Sequence, residues 1–453
     1  MIDLIGKKFG LISLGCDKNR VDSEKLLSVI AENGCKITDD INETQILIIN
    51  TCAFLNEARK EAIETVLEYS VYKSVNLEKI VVTGCLPQMY IDETFFDLTE
   101  ADVFLGTNDY DKLFEALETA YSGTRVNFVK SGSGKTSTSR ILTTPEHYAY
   151  LKIADGCNNK CTYCLIPKIR GKYQSYPMES LLEEAQNLGD VSELILVAQD
   201  VTRYGLDLYG QKKLIEFLQN VTKLVNINSV RLLYCYPDMI DNALISEIRD
   251  NPKIIKYIDI PLQHSENRIL KLMNRPAGRN EYLALIRKLR ENIPDIAIRS
   301  TFIAGFPTET EEDFEGLRSF IEEAELDNCG FFAYSREPDT AAYKLKGQLT
   351  YSIKKSRVKK LYEIQHSISY KKLSRYVGQV LKVVCDGIDY NKNCFVGRAY
   401  FQAPDIDGKV FFNAYNAIQG EYYEVLIENN DAYDLYGHTE DYNERRNTGK
   451  RNR

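Results

Sequence analysis

The sequence predicts an α/β protein in three parts: an N-terminal parallel αβ sheet domain, a central partial (β/α)6 barrel of TIM type, and a small C-terminal antiparallel β-barrel. Three observations carry this. Short apolar runs alternate with helical patterns over roughly the first 120 residues, the alternation resumes from 148 to about 340, and past Val377 it gives way to strands separated by turns. The expected parts are 1–121, a linker at 122–147, 148–374, 375–441 and a basic tail at 442–453.

In the first part the runs FGLISLG, QILIINT, KIVVTG and ADVFLG alternate with helical candidates such as DSEKLLSVIAENG and FLNEARKEAIETVLEYS. Strands joined by helices make right-handed crossovers and hence a parallel sheet. Cys16, Cys52 and Cys85 each stand just past one of the first three runs, 36 and 33 residues apart. Open parallel sheets bind ligands outside the carboxyl ends of their strands, so the three thiols are expected to converge. The competing reading is three unrelated buried cysteines, the commoner fate of any single cysteine. A shared iron-sulfur cluster, unlike that arrangement, explains why all three hold one place in successive units.

Residues 122–147 are rich in Gly, Ser and Thr and read as an exposed linker. Their GSGKTS stretch is not a phosphate loop: Val129 stands where that motif needs its first glycine. The central part opens on YAYLKIA and runs into Cys157, Cys161 and Cys164, spaced C-x3-C-x2-C. Three soft thiolates on one loop suit a four-iron cluster with one iron open to a reactant, whereas structural zinc asks for a closed set of four. A zinc knuckle or a disulfide loop is the competing reading.

Five further apolar runs follow: SELILVAQ, SVRLLYCY, KYIDIPLQ, IAIRSTFIAGF and NCGFFAYS, separated by helical segments such as PMESLLEEAQNLG and RNEYLALIRKLRENI. In a barrel, polar residues at strand ends point into the site. Those residues are Gln199, Asp200, Tyr236, Gln263, His264, Arg299, Thr301, Tyr334 and Ser335. Each can equally be a hydrogen-bonded residue that holds loops together.

Residues 350–376 carry Ile353, Val358, Leu361 and Ile364 at helical spacing, which predicts a long amphipathic helix with its Lys and Arg on a solvated face. In the last part, QVLKVVCDGID, CFVGRAYFQAPDIDGKVFF and EYYEVLIENN alternate as strands do, with a turn signal at Asp405 to Gly408. Over 376–441, four Lys or Arg stand against eleven Asp or Glu, so this part carries −7 of the net −8. The basic RRNTGKRNR that follows reads as disordered.

A composition of 44% apolar and 27% charged residues is that of a globular protein. No apolar run approaches the roughly 20 residues of a membrane span, and MIDLIGKKFG lacks the zones of a signal peptide. The expectation is a cytoplasmic protein with no membrane contact. Thiols stay reduced there, so the eleven cysteines point to clusters and buried side chains rather than disulfides. Cys35, Cys235, Cys329, Cys385 and Cys394, which have no partner at ligand spacing, read as buried apolar residues.

The loop at 157–164 resembles that of the radical S-adenosylmethionine enzymes. With the N-terminal trio and the terminal barrel added, the chain resembles their methylthiotransferase family from Leu11 to about Gly437. SLGCDKNRVDSE, YLKIADGCNNKCTYCLIPKIRG, VAQDVTRYG, YIDIPLQH and RSTFIAGFP are most similar to the RimO branch, which modifies a ribosomal protein. The tRNA-modifying MiaB branch usually reads YGCQMN at the first cysteine. VGRAYFQAPDIDGKVF is similar to the family's TRAM barrel. Departures are Thr308 for Gly in GFPTETEEDF; Pro338, Asp339 and Ala341 in YSREPDTAA, where the family is close to YSREEGTPA; and QSYP with Gln174 and Tyr176 where RSRP is frequent.

The resemblance implies two 4Fe-4S clusters, one on Cys157, Cys161 and Cys164 and an auxiliary one on Cys16, Cys52 and Cys85. It implies S-adenosylmethionine as both methyl donor and radical source. Tyr163 would lie beside the adenine, and Gln199, Arg299 and Thr301 are the further residues assigned to the cofactor. The implied reaction abstracts hydrogen from the β-carbon of an aspartate in small-subunit ribosomal protein twelve and joins a methylthio group to it. An unactivated C–H bond needs such radical chemistry, which the cofactor carries. The acidic barrel suits a basic protein and repels RNA, so tRNA is disfavoured. A reductant such as flavodoxin or ferredoxin is implied, and the chain is expected to be a monomer. The alternatives are methylthiolation of a tRNA adenosine and a two-cluster electron-transfer protein.

Overall fold

The computed structural model describes residues 4–132 and 138–442. Most of the GSGKTS stretch and the tail beyond Tyr442 lie outside the described residues.

Six strands form the N-terminal sheet: β1 (Lys8–Ser13), β2 (Lys36–Ile37), β3 (Ile46–Thr51), β4 (Lys79–Gly84), β5 (Val103–Phe104) and β6 (Val126–Asn127). All pair in parallel, in the order β2-β1-β3-β4-β5-β6. β3 is buried along its whole length, as its unbroken run ILIINT requires of a strand covered on both faces. β6 corrects the linker boundary, because Val126–Asn127 completes the sheet's edge. Two residues are too short a run to stand out in sequence.

The central sheet is six-stranded, parallel and open. It runs β7 (Tyr148–Lys152), β10 (Glu193–Val197), β11 (Val230–Leu232), β12 (Ile254–Asp259), β13 (Ala297–Ala304), β14 (Asn328–Ala333). The short antiparallel pair β8 (Ala154–Asp155) and β9 (Gln174–Ser175) clamps the base of the cysteine loop. Gly156 makes this turn at φ +73°, and a Cβ there would lie 2.2 Å from the Lys172 carbonyl oxygen. The expected long helix is Tyr351–Ser374. Its charged residues are only partly solvated: Lys354 donates to the Tyr334 carbonyl (2.9 Å) and Arg357 to Glu309 (2.6 Å), both buried.

The C-terminal strands β15 (Val380–Asp389), β16 (Cys394–Arg398), β17 (Val410–Asn413), β18 (Tyr422–Asn430) and β19 (Leu435–Thr439) close a barrel in the order β15-β16-β17-β19-β18. Its pairings are antiparallel except β17 with β19, which is parallel. The barrel core is continuous with side chains inside the central sheet, among them Tyr148, Tyr150, Ile195 and Tyr257. Buried ion pairs reinforce the contact. Glu193, the first residue of β10, accepts from Arg231 and from Arg398 (2.6 Å), and Arg398 also donates to Asp386 (2.8 Å). Asp386, Asp405 and Asp407 therefore face the protein's own Arg398, Arg20 and Arg299, and the acidity available to a partner is less than the barrel's count suggests.

Helix Asp17–Glu32 wedges between the N-terminal and central parts. Its buried residues include Lys18, Asn19, Asp22, Glu24 and Lys25, a set that periodicity alone assigns to solvent. Lys25 pairs with Glu184 (2.8 Å), and Glu24 accepts from the Thr143 backbone N–H (2.9 Å). Among the departures from the family pattern, Thr308 and Asp339 both stand where that pattern has glycine. Both hold left-handed backbone, at φ 69° and 67°.

Candidate active site

Both cysteine trios line one cavity of about 350 Å³. The order of the N-terminal sheet reverses between β1 and β3, the place where such sheets leave a crevice, and Cys16 and Cys52 follow those two strands. Cys85 begins helix Cys85–Asp97 directly after β4. From the other side come Cys157, Cys161 and Cys164, on the loop after β7 and β8 at the carboxyl end of the central sheet.

The thiols sit in an environment built for sulfur ligands. The backbone N–H groups of Asn159 and Ile166 donate to Cys157 and Cys164 (3.4 Å each). The Tyr236 hydroxyl lies 3.5 Å from Cys161, and Arg275 reaches the same sulfur at 4.0 Å. Arg170 donates to Cys85 at 3.7 Å. Burial pushes the Cys85 and Cys164 thiols up to about 12, and raises Cys52 and Cys157 as well. Metal binding has to displace those protons, so loading is favoured at higher pH. Among the described residues no three His, Cys, Asp or Glu close on a single metal ion. A four-iron cluster takes one thiolate per iron, and so asks for cysteines spread around it.

Arg170 joins the two sides. Its guanidinium donates to Asp22 (2.8 Å) and Asn19 of the N-terminal part and to Asp155 of the central part (2.8 Å), while touching Cys85. Burial alone would raise the Asp155 carboxyl, yet Arg170 and Lys152 hold it well below the usual carboxylate range.

Of the residues assigned to the cofactor, Tyr163, Gln199 and Thr301 line the cavity. Gln199 donates to Asp155 (3.0 Å), and its buried Oε1 has no partner among the described residues. Arg299 is a correction. It lies two residues deeper on β13 than Thr301, outside the lining, where it donates to Asp259 (3.0 Å) and pairs with Asp407 of the C-terminal barrel (3.4 Å). Of the other strand-end residues, Tyr236 and Gln263 line the cavity. Asp200 caps Thr202 (3.1 Å), His264 faces Glu309 (3.3 Å), Tyr334 packs on Phe306 and Ser335 donates to Glu337 (2.5 Å). Sequence reasoning missed Lys18, Asn19, Arg170, Tyr234 and Arg275, all in the wall. Lys18 and Asn19 lie in SLGCDKNRVDSE and Arg170 in YLKIADGCNNKCTYCLIPKIRG, which was the available signal. Of the five remaining cysteines, Cys35, Cys235 and Cys385 are buried as expected, and Cys329 and Cys394 are half-buried.

Three family models match stretches of the chain. Residues 151–321 match the Radical SAM superfamily, 8–106 the uncharacterised protein family UPF0004, and 377–439 the TRAM domain. A ribosomal protein uS12 methylthiotransferase RimO of Lachnoclostridium phytofermentans is 44% identical over 96% of this chain and 100% of its own. Its counterpart in Clostridium kluyveri is 46% identical over 95% and 97%. In fold, the chain is similar to the radical S-adenosylmethionine methyltransferase TsrM of Kitasatospora setae, solved with cobalamin and a 4Fe-4S cluster, at a TM-score of 0.55 and 13% identity over 75% of this chain and 74% of that one.

Proposed function

The chain belongs to the RimO family of ribosomal protein uS12 methylthiotransferases, and from that premise we propose that it adds a methylthio group to the β-carbon of an aspartate in uS12, using two four-iron clusters and S-adenosylmethionine. The observation that carries this reading is the single cavity shared by both trios. Cys157, Cys161 and Cys164 hold the cluster that engages S-adenosylmethionine, and Cys16, Cys52 and Cys85 hold the auxiliary cluster. When bound, the first supplies hydrogen abstraction from an unactivated carbon and the second supplies sulfur.

The chain's own residues position and shield that chemistry. The clamp of β8 and β9 fixes the cysteine loop, and Arg170 holds the two trios at a set spacing. The Gln199 Oε1 is an acceptor for a donor of the bound cofactor, and Tyr163 and Thr301 shape the same wall. Phe54, Ile166 and Ile169 keep water from a reactive carbon centre.

Exposed acidic residues of the terminal barrel, Glu421, Glu424, Glu428 and Asp431, offer a basic ribosomal protein a second contact and disfavour tRNA. A one-electron donor such as flavodoxin or ferredoxin completes the system, and the monomer contains the whole site. No helix among the described residues is long and apolar enough to cross a membrane, and a ribosomal substrate places the reaction in the cytoplasm. The test is intact-mass analysis of uS12 after incubation with the reconstituted enzyme, S-adenosylmethionine, sulfide and a reductant. A gain of one methylthio group at the aspartate is expected, and modification of tRNA instead would overturn the proposal.

A further inference from the structure

We infer that Lys18 anchors the carboxylate of the substrate aspartate and thereby selects an acidic side chain over a nucleobase, an inference that rests on the function proposed above. Among the described residues the cavity wall holds three cationic side chains, Lys18, Arg170 and Arg275, and no Asp or Glu. Two of them are committed. Arg170 is spent on Asp22, Asp155 and Asn19. Arg275 donates to the Pro261 carbonyl and stacks on the Tyr236 ring at 4.0 Å, beside Cys161. Lys18 is only 6% exposed, although lysine is rarely buried without a reason. Its ammonium lies 2.9 Å from an Asp17 oxygen and 3.1 Å from the Tyr234 ring centroid. An ammonium carries three N–H donors. Among the described residues Asp17 and the ring account for two, and the third is the donor assigned to an incoming group.

The placement matches the chemistry. Lys18 is two residues from Cys16, on the side of the cavity that would present sulfur. In an aspartate the carboxyl carbon is bonded directly to the β-carbon, so a fixed carboxylate fixes the carbon that reacts. A carboxylate entering this buried space has to meet a cation or lose much of its hydration energy. The backbone supports the arrangement at some cost: Tyr234, whose ring faces the ammonium, holds left-handed φ of 58°. A nucleobase such as adenine has no carboxylate for Lys18 to hold.

The experiment measures binding of uS12 to reconstituted enzyme by fluorescence anisotropy, with the substrate aspartate intact and with it replaced by asparagine. Iron content is matched between variants. For wild type, the asparagine form is expected to bind about 10- to 100-fold more weakly, as befits loss of one charge-assisted hydrogen bond. Lys18→Met is expected to weaken the aspartate form by a similar factor and the asparagine form little, and Lys18→Arg to restore most of the difference. Equal weakening of both forms by Lys18→Met, or a wild type that binds both equally, overturns the anchor. The wild-type comparison needs no variant to fold. A wild type that neither binds nor modifies the aspartate form overturns the functional reading itself, whereas wild-type modification with undiminished binding by Lys18→Met overturns the anchor alone.

Discussion

Replacing Glu193 by Gln is expected to loosen the C-terminal barrel from the central sheet by about 3 kcal/mol at neutral pH. The carboxylate is buried between two guanidiniums, Arg231 and Arg398, the second at 2.6 Å. Burial alone would raise its pKa, but the two cations win and hold it at about 2 rather than the usual 4.5. That difference is about 2.5 pK units, or about 3 kcal/mol of preference for the charged form in the folded protein. Because the folded pKa is depressed, the stabilisation is complete above pH 4.5 and is lost as pH falls towards 2. A Gln side chain keeps the shape and cannot balance the charge. Denaturant unfolding of wild type and Glu193→Gln, followed by circular dichroism, should show a gap of about 3 kcal/mol at pH 7 that shrinks to roughly half by pH 3. Comparing the two proteins cancels acid effects common to both. A gap under about 1 kcal/mol at pH 7, or one of equal size at pH 3, would refute the reasoning.

Three further outcomes follow from particular contacts. Thr308→Gly removes a β-branched residue from φ 69° and should stabilise the protein by about 1 kcal/mol, read as a rise in Tm, even though Arg268 loses its bond to the hydroxyl (3.0 Å). Gly84→Ala puts a methyl group 2.3 Å from the Asn50 Oδ1 and 2.6 Å from the Thr51 carbonyl oxygen. It should displace Cys85 and lower the iron bound by the auxiliary trio, with loss of about 2 kcal/mol or more in thermal stability. Arg170→Gln leaves Asp22 and Asp155 sharing Lys152 alone and should cost about 3 kcal/mol, measured by denaturant unfolding, because one buried carboxylate is then uncompensated.

The two sheets and the terminal barrel were legible because strand and helix periods differ and each part keeps its own period along the chain. The cysteine trios were legible for a positional reason: Cys16, Cys52 and Cys85 each follow a strand end, and strand ends of parallel sheets share one edge. The rest of the site was not. Lys18, Arg170 and Arg275 are charged residues that pattern reading sends to solvent: Lys18 is carried inside on helix Asp17–Glu32, Arg170 is held there by Asp22 and Asp155, and Arg275 by the Pro261 carbonyl and the Tyr236 ring. Arg299 shows the converse. It shares a strand with Thr301, but two residues of depth along that strand, about 7 Å, separate the cavity from the ion pairs that seat the terminal barrel. The strained backbone at Thr308 and Asp339 was visible only as a departure from glycine, and its meaning came from their positive φ.

The most direct measurement is iron and sulfide content of the reconstituted wild type beside Cys52→Ala and Cys161→Ala. Two clusters facing one cavity predict that each variant keeps about half of the wild-type iron. They predict also that Cys52→Ala still cleaves S-adenosylmethionine to 5'-deoxyadenosine without methylthiolating uS12, while Cys161→Ala cleaves none. Full iron in Cys52→Ala, or complete loss of iron in either variant, would contradict two independent cluster sites.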